Sequence, residues 1–225
     1  MAAEEMIELG KFSAAPVGDT PPADWEPLIF PKIARHTRYS LAEDNGMTVV
    51  KAVSEAAAAG LTRKIEIDLN KFPFIRWRWK VDNVVEESDV TSKEGDDYAA
   101  RIYVTFAYEP DKVSFGKKLK YKAGRVILGQ DIPIAAINYI WESKTPKDTL
   151  VDNAYTDFVK MIVIESGNEK VGQWVEEERN VYEDYKKAFG EEPPMISGVA
   201  IMTDTDNTGG SATAYYGDII FEARR

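Results

Sequence analysis

The sequence contains no cysteine and only one histidine, His36, in 225 residues. The first absence excludes disulfide frameworks, thiolate metal sites and cysteine nucleophiles. The second excludes histidine-rich zinc sites and the paired histidines of a metalloprotease helix. No serine lies in a nucleophile-elbow motif, so one histidine gives no support to a Ser-His-Asp triad. Bases are in the minority: 28 Lys plus Arg face 38 Asp plus Glu, for a formal net charge of −10. Such acidity argues against nucleic acid, whose phosphates attract basic surfaces. Long apolar runs are also missing. The longest, 132–141, is interrupted by Pro133 and Asn138 and falls short of the ~18 residues that a transmembrane helix needs. The opening Met1-Ala2-Ala3-Glu4-Glu5 has neither a basic start nor an apolar stretch, and no signal peptide is expected there.

What the chain does have is strand patterning. Alternation and β-branched or aromatic content predict strands at 27–30, 36–41, 47–53, 62–69, 74–81, 98–108, 124–128, 134–141, 158–165, 196–204 and 212–223. Turn formers separate them, among them Asn45-Gly46, Glu94-Gly95-Asp96 and Asn207 to Gly210. Residues 1–26, with Pro16, Gly18, Pro21 and Pro22, read as an irregular lead-in. One amphipathic helix is expected near 171–189. There Val171, Trp174, Val175, Tyr182, Tyr185 and Phe189 form a stripe, Glu176 to Glu178 and Lys186-Lys187 a solvated face, and Gly190 a stop. Many strands with one late helix predict an all-β fold: a two-sheet antiparallel jelly-roll β-sandwich, as one domain over 1–225.

Three constellations carry chemistry. In 74–81, period two sets Ile75, Trp77, Trp79 and Val81 on one face and Arg76, Arg78 and Lys80 on the other. The Trp face belongs to the core. The cations await cross-strand carboxylates or an anionic ligand that arginine grips with paired hydrogen bonds. In 95–104, Arg101 and Tyr103 share a face with small Ala99, and Asp96 and Asp97 precede the strand, placed to cap a turn, pair with arginine or bind a cation. Glycoside hydrolysis needs two carboxylates facing each other across about 5 to 10 Å, and neighbouring strand residues point apart. The third, Met202 to Gly210, starts like a calcium loop: Asp204, Asp206 and Gly209 fall at its first, third and sixth positions. Tyr215 stands where the bidentate glutamate belongs, so an EF-hand is excluded. An oxygen-rich calcium site of another kind, from Asp204, Asp206, Asn207 and Asp218, stays open beside a plain hairpin loop.

Several motifs resemble one bacterial family, the domain of unknown function 3047. They are Ala59-Gly60-Leu61, Trp77-Arg78-Trp79-Lys80-Val81, Gly95-Asp96-Asp97-Tyr98-Ala99-Ala100-Arg101, Met202 through Thr208, Tyr215-Tyr216-Gly217-Asp218-Ile219, and Asp184 through Gly190 followed by Glu192-Pro193-Pro194. The resemblance runs from about residue 12 to residue 221. It implies a periplasmic or extracellular protein of the bacterial envelope and leaves the activity open. A looser resemblance to galactose-binding-like jelly rolls, in strands 74–81 and 217–222, implies the same fold, one whose members often bind sugars beside a structural calcium ion.

Three functions follow as expectations. The first is a non-catalytic carbohydrate-binding protein, with Arg76, Arg78, Arg101, Tyr103 and Asp97 meeting an acidic glycan on a concave face. The second is a polysaccharide lyase or hydrolase using Asp96, Asp97, Asp204 or Asp206 as acid and base. The third is an envelope interaction module with no small ligand.

Overall fold

The computed structural model describes residues 5–107 and 135–223. The strand expected at 124–128 lies outside them. Among the described residues fourteen strands, β1 to β14, form two sheets that pack face to face.

Sheet A contains β1 (Met6–Gly10), β3 (Arg38–Asp44), β4 (Met47–Glu55), β6 (Phe74–Val81), β11 (Val175–Asn180), β13 (Ser211–Tyr216) and β14 (Ile219–Glu222). Sheet B contains β2 (Glu26–Leu28), β5 (Ala58–Ile67), β7 (Ala100–Phe106), β8 (Ala136–Glu142), β9 (Leu150–Asn153), β10 (Thr156–Ser166) and β12 (Ile196–Asp204). From β4 to β7, and again from β11 to β13, successive strands alternate between sheets. That alternation makes the fold a jelly-roll type of sandwich. Pairing is antiparallel except between β8 and β10, which run parallel. Among the described residues no helix is long and apolar enough to cross a membrane.

The core follows from period two. Trp77 stacks on Tyr139 with ring centroids 5.4 Å apart, and Trp79 meets Trp141 at 5.9 Å. These pairs join β6 of sheet A to β8 of sheet B. Ile102, Val104, Val199 and Ile201 fill the same layer from β7 and β12, all fully buried. Burying each such side chain contributes roughly 1.5 to 3 kcal/mol.

Two expectations are corrected. The helix covers only Val181–Phe189, here α1, capped by the Asn180 side chain and ended by left-handed Gly190. Residues 175–180 are instead strand β11, along β6, with Glu176 opposite Arg78 and Glu178 opposite Arg76. Of the three glutamates that resemble a solvated helix face, Glu176 and Glu178 complement the basic stripe of β6 while Glu177 turns inward opposite Trp77, and an open strand edge outcompetes a short helix extension. The lead-in is not wholly irregular either. Met6–Gly10 pairs with β14, burying Leu9, and Phe12 and Trp25 follow it into the core. Helix α1 ties the sheets together. Tyr185 packs on Phe106 at 4.6 Å, and Asp184 accepts hydrogen bonds from Tyr139 and Arg179.

Candidate functional site

The basic stripe of β6 lies on the face of sheet A that points away from sheet B. β11 runs along one edge of β6, while β13 and β14 share the other edge end to end. They part at Gly217, whose N–H bonds Arg78 O. A Cβ there would lie 2.4 Å from Arg78 Nε, so only glycine lets this side chain cross the strand. Beyond the break β14 pairs with β1 rather than with β4. The tip of the β3–β4 hairpin, turning at Asn45 and Gly46 with positive φ, is thus free of the sheet.

That tip bends over the outer face. β3 is three strand spacings from β6, about 14 Å on a flat sheet. Yet Lys80 Nζ lies 2.8 Å from Asp44 Oδ1, and Trp174, arriving from beyond β11, donates from Nε1 to Asp44 Oδ2 at 2.6 Å. The hydrogen bond from Lys80, joined by that from Trp174 and opposed by burial, holds the Asp44 carboxyl below its ordinary range. The outer face is therefore concave, with Trp174 and Tyr215 inside it, ring centroids 6.5 Å apart. Arg78 lies over Trp174 at 4.7 Å, and Lys80 and Lys51 lie over Tyr215 at 4.2 and 5.7 Å. The Tyr215 hydroxyl donates to Asp82; burial, then Asp82, pushes it up to about 12.

Not every cation here is available. Arg76 pairs with Glu222 at 3.0 Å and Glu178 at 3.6 Å, and Lys80 with Asp44. Arg78 and Lys51 form no ion pair with a described residue; Arg78 reaches only Met47 Sδ, at 3.4 Å. The face thus presents two aromatic rings and two cations that no described residue pairs directly, with Glu176 opposite Arg78 and Asp44 near it.

The other predicted residues lie elsewhere. Arg101 and Tyr103 are on the outer face of sheet B, across the whole sandwich from Arg76 and Arg78, because their neighbours Ile102 and Val104 face the core. Arg101 is buried, with Nε 2.7 Å from Asp204 Oδ1. Its other nitrogens reach Asp204 Oδ2, the Asp96 carbonyl, and the Tyr103 hydroxyl at 3.0 Å. Carboxylate oxygens of Asp97, Asp204 and Asp206 lie within 4.8 Å of one another. Burial pushes the Asp204 carboxyl up against the pull of Arg101. Burial and then Asp97 raise that of Asp206.

These oxygens suit a hard cation, but those of Asp97 and Asp204 already accept hydrogen bonds within the protein. Asp97 Oδ2 accepts from the Thr208 N–H at 2.6 Å and hydroxyl at 2.7 Å, Asp97 Oδ1 from the Asn207 N–H, and both Asp204 oxygens from Arg101. The Asn207 side chain turns away to Tyr155. Asp218 is not in the cluster: it accepts from the Ser13 backbone and hydroxyl, fastening the turn after β1. Arg101 supplies positive charge to this cluster. Adding EDTA or calcium is accordingly expected to leave the melting temperature unchanged; a rise in calcium reversed by EDTA would reinstate a metal.

Trp174, Tyr215 and Lys51 are the residues that the sequence did not single out as one surface. Gly172 shortly before Trp174 marks a helix break, and Tyr215 alternates with buried Ala214 and Tyr216. Those signals place each ring on a surface but do not bring them together.

Fold and site together define a jelly-roll-type β-sandwich with a concave outer face on which aromatic rings, cations and carboxylates meet. The chain belongs to the family described as "Protein of unknown function (DUF3047)", whose model matches residues 23–220. No curated protein matches the sequence. Among solved structures, the cellulose-induced protein Cip1 is similar with a TM-score of 0.38 and 12% identity, over 96% of each chain. A mutant of the ENZbleach xylanase is similar with a TM-score of 0.39 and 7% identity, over 99% of this chain and 86% of the other.

Proposed function

We propose that the protein is a non-catalytic carbohydrate-binding protein whose ligand is an acidic glycan, held on the concave outer face of sheet A. The observation that supports this reading is the pair of half-buried rings, Trp174 and Tyr215, beside the unpaired cations Arg78 and Lys51. Sugar rings stack their C–H faces on such aromatics, while arginine and lysine meet carboxylates or sulfates. Anchoring by Asp44 and Asp82 fixes both rings before a ligand arrives, which lowers the ordering cost of binding. Action at the bacterial envelope belongs to the same proposal and rests on family resemblance. The aspartates of sheet B lend no support to catalysis, because Asp97 and Asp204 are buried and engaged within the protein.

The test is binding to immobilised uronic-acid polysaccharides alongside neutral ones. Tyr215→Ala and Trp174→Ala are each expected to weaken binding about two- to tenfold, since a ring contact contributes roughly 0.5 to 1.5 kcal/mol. Tyr215→Phe, which keeps the ring and loses the bond to Asp82, should bind like the parent. Equal binding by Tyr215→Ala and the parent would sink the proposal.

A further inference from the structure

Where β4 ends and β5 begins, a cavity of about 430 Å³ is lined by Arg35, His36, Arg38, Val53, Glu55 and Ala57. It contains the chain's one histidine and two arginines, in a protein of net charge −10. Arg35 and His36 have no side-chain hydrogen bond or ion pair with a described residue. Arg38 has one loose partner, Glu55 at 3.7 Å, and both side chains are mostly exposed, so the pair contributes little. Glu55 is the sole carboxylate in the lining.

The backbone carrying these groups is fixed from behind. Thr37 points inward between His36 and Arg38, donates to Thr203 O at 2.7 Å and lies 3.3 Å from the Ser54 hydroxyl. Ser54 meets Thr205 at 2.9 Å, and the Arg35 carbonyl accepts from Ala58 N–H. The buried threonine thus sets its two neighbours outward on one side of the chain. Such an array of donors, two without a partner and one loosely paired, on a fixed backbone and open to water, matches an oxyanion: Arg presents a planar fork of N–H groups, and histidine adds a donor.

We infer that this pocket binds an anionic group, a carboxylate, sulfate or phosphate, either as a free ion or carried on a glycan. The inference goes beyond the proposed function and rests on it only for the glycan-borne source. Arg38 lies opposite Val53, and Lys51, opposite Tyr215, is the next residue on that face of β4. A glycan crossing Tyr215 would therefore continue towards the pocket, its charged substituent meeting Arg35 and Arg38.

Because His36 is the only histidine, its imidazole resonances report the pocket without assignment ambiguity. The experiment titrates the full chain with sulfate, with phosphate and with a short uronic-acid oligomer, at ionic strength held constant with chloride. A saturating shift of the His36 signals is expected with at least one probe, weakened about tenfold in the Arg35→Ala/Arg38→Ala variant. These two side chains are exposed, so the variant is expected to fold. Response to the inorganic ions alone identifies a free oxyanion as ligand; response to the oligomer alone identifies a glycan substituent. Linear shifts with all three probes, or saturation unchanged in the double variant, would overturn the inference. Tyr215→Ala separates the two sites: loss of polysaccharide binding with sulfate saturation intact leaves both readings standing. Sulfate saturation with no polysaccharide binding by the parent removes the glycan reading alone.

Discussion

Arg101→Met should lower the stability of the protein by roughly 3 to 5 kcal/mol, the usual cost of breaking a buried ion pair from one side. The guanidinium is almost fully buried and meets Asp204 through two nitrogens, the Asp96 carbonyl, the Tyr103 hydroxyl and, at 4.4 Å, the ring of Tyr98. Burial by itself would lower the pKa of Arg101, but Asp204 and its neighbours raise it, so the charge persists. Without it, Asp204 stays buried beside Asp97 and Asp206 with no countercharge. Urea denaturation followed by tryptophan fluorescence measures the loss. The double variant Arg101→Met/Asp204→Leu should recover much of it, because replacing both partners by apolar groups removes the uncompensated charge. A single variant as stable as the parent would show that the cluster relaxes and that the pair is dispensable.

The second large effect concerns Glu177. It lies opposite Trp77 on β11 and so faces the interior, where its Oε1 is buried without a partner. Close by is Glu165, buried, with Lys147 and Lys170 each 2.6 Å from its Oε1. Burial first, then the Glu165 charge, pushes the Glu177 carboxyl up to about 7. A carboxyl raised on folding contributes stability that is complete below its unfolded pKa and is lost as the pH rises through the folded one. The protein should therefore lose stability between about pH 4.5 and 7 from this group. Partial exposure to solvent discounts the loss to on the order of 1 to 3 kcal/mol. Glu177→Gln keeps a donor towards Glu165 and cannot ionise, so it should be more stable than the parent at pH 8 and equal to it near pH 4.5. Melting temperatures of both proteins across that range give the answer. Parallel curves would mean that Glu177 is ionised throughout.

The sequence showed most strands because alternation is local. Strands β6 and β12 have the predicted limits, and Arg76, Arg78 and Lys80 share the predicted face. Alternation assigns a side chain to a face but not a strand to a sheet. Hence Arg101 and Tyr103 looked like companions of Arg76 and Arg78, although the sandwich core separates them. The helix was overextended for a related reason. Val171, Trp174 and Val175 have helical spacing, but the structure uses Val175 in a strand and Trp174 as a cover for Arg78. Only the open edge of β6, a feature of the tertiary fold, decides between the two. Likewise Asp97 and Asp204 meet because the chain before β7 crosses beside β12, and no local pattern carries that pairing.

The position of β6 sets the timing of folding. All its sheet partners, β11, β13 and β14, lie at residue 175 or later, while β1, at the other terminus, waits for β14. Sheet A can close only once residues 175–222 have left the ribosome. At about 5 to 20 residues per second, both edges of β6 stay open for several seconds, available to chaperones and to neighbouring chains. High-contact-order pairing of this kind slows folding further. A truncation that removes β14 alone therefore leaves β1 without a partner and residues 74–76 of β6 with an open edge.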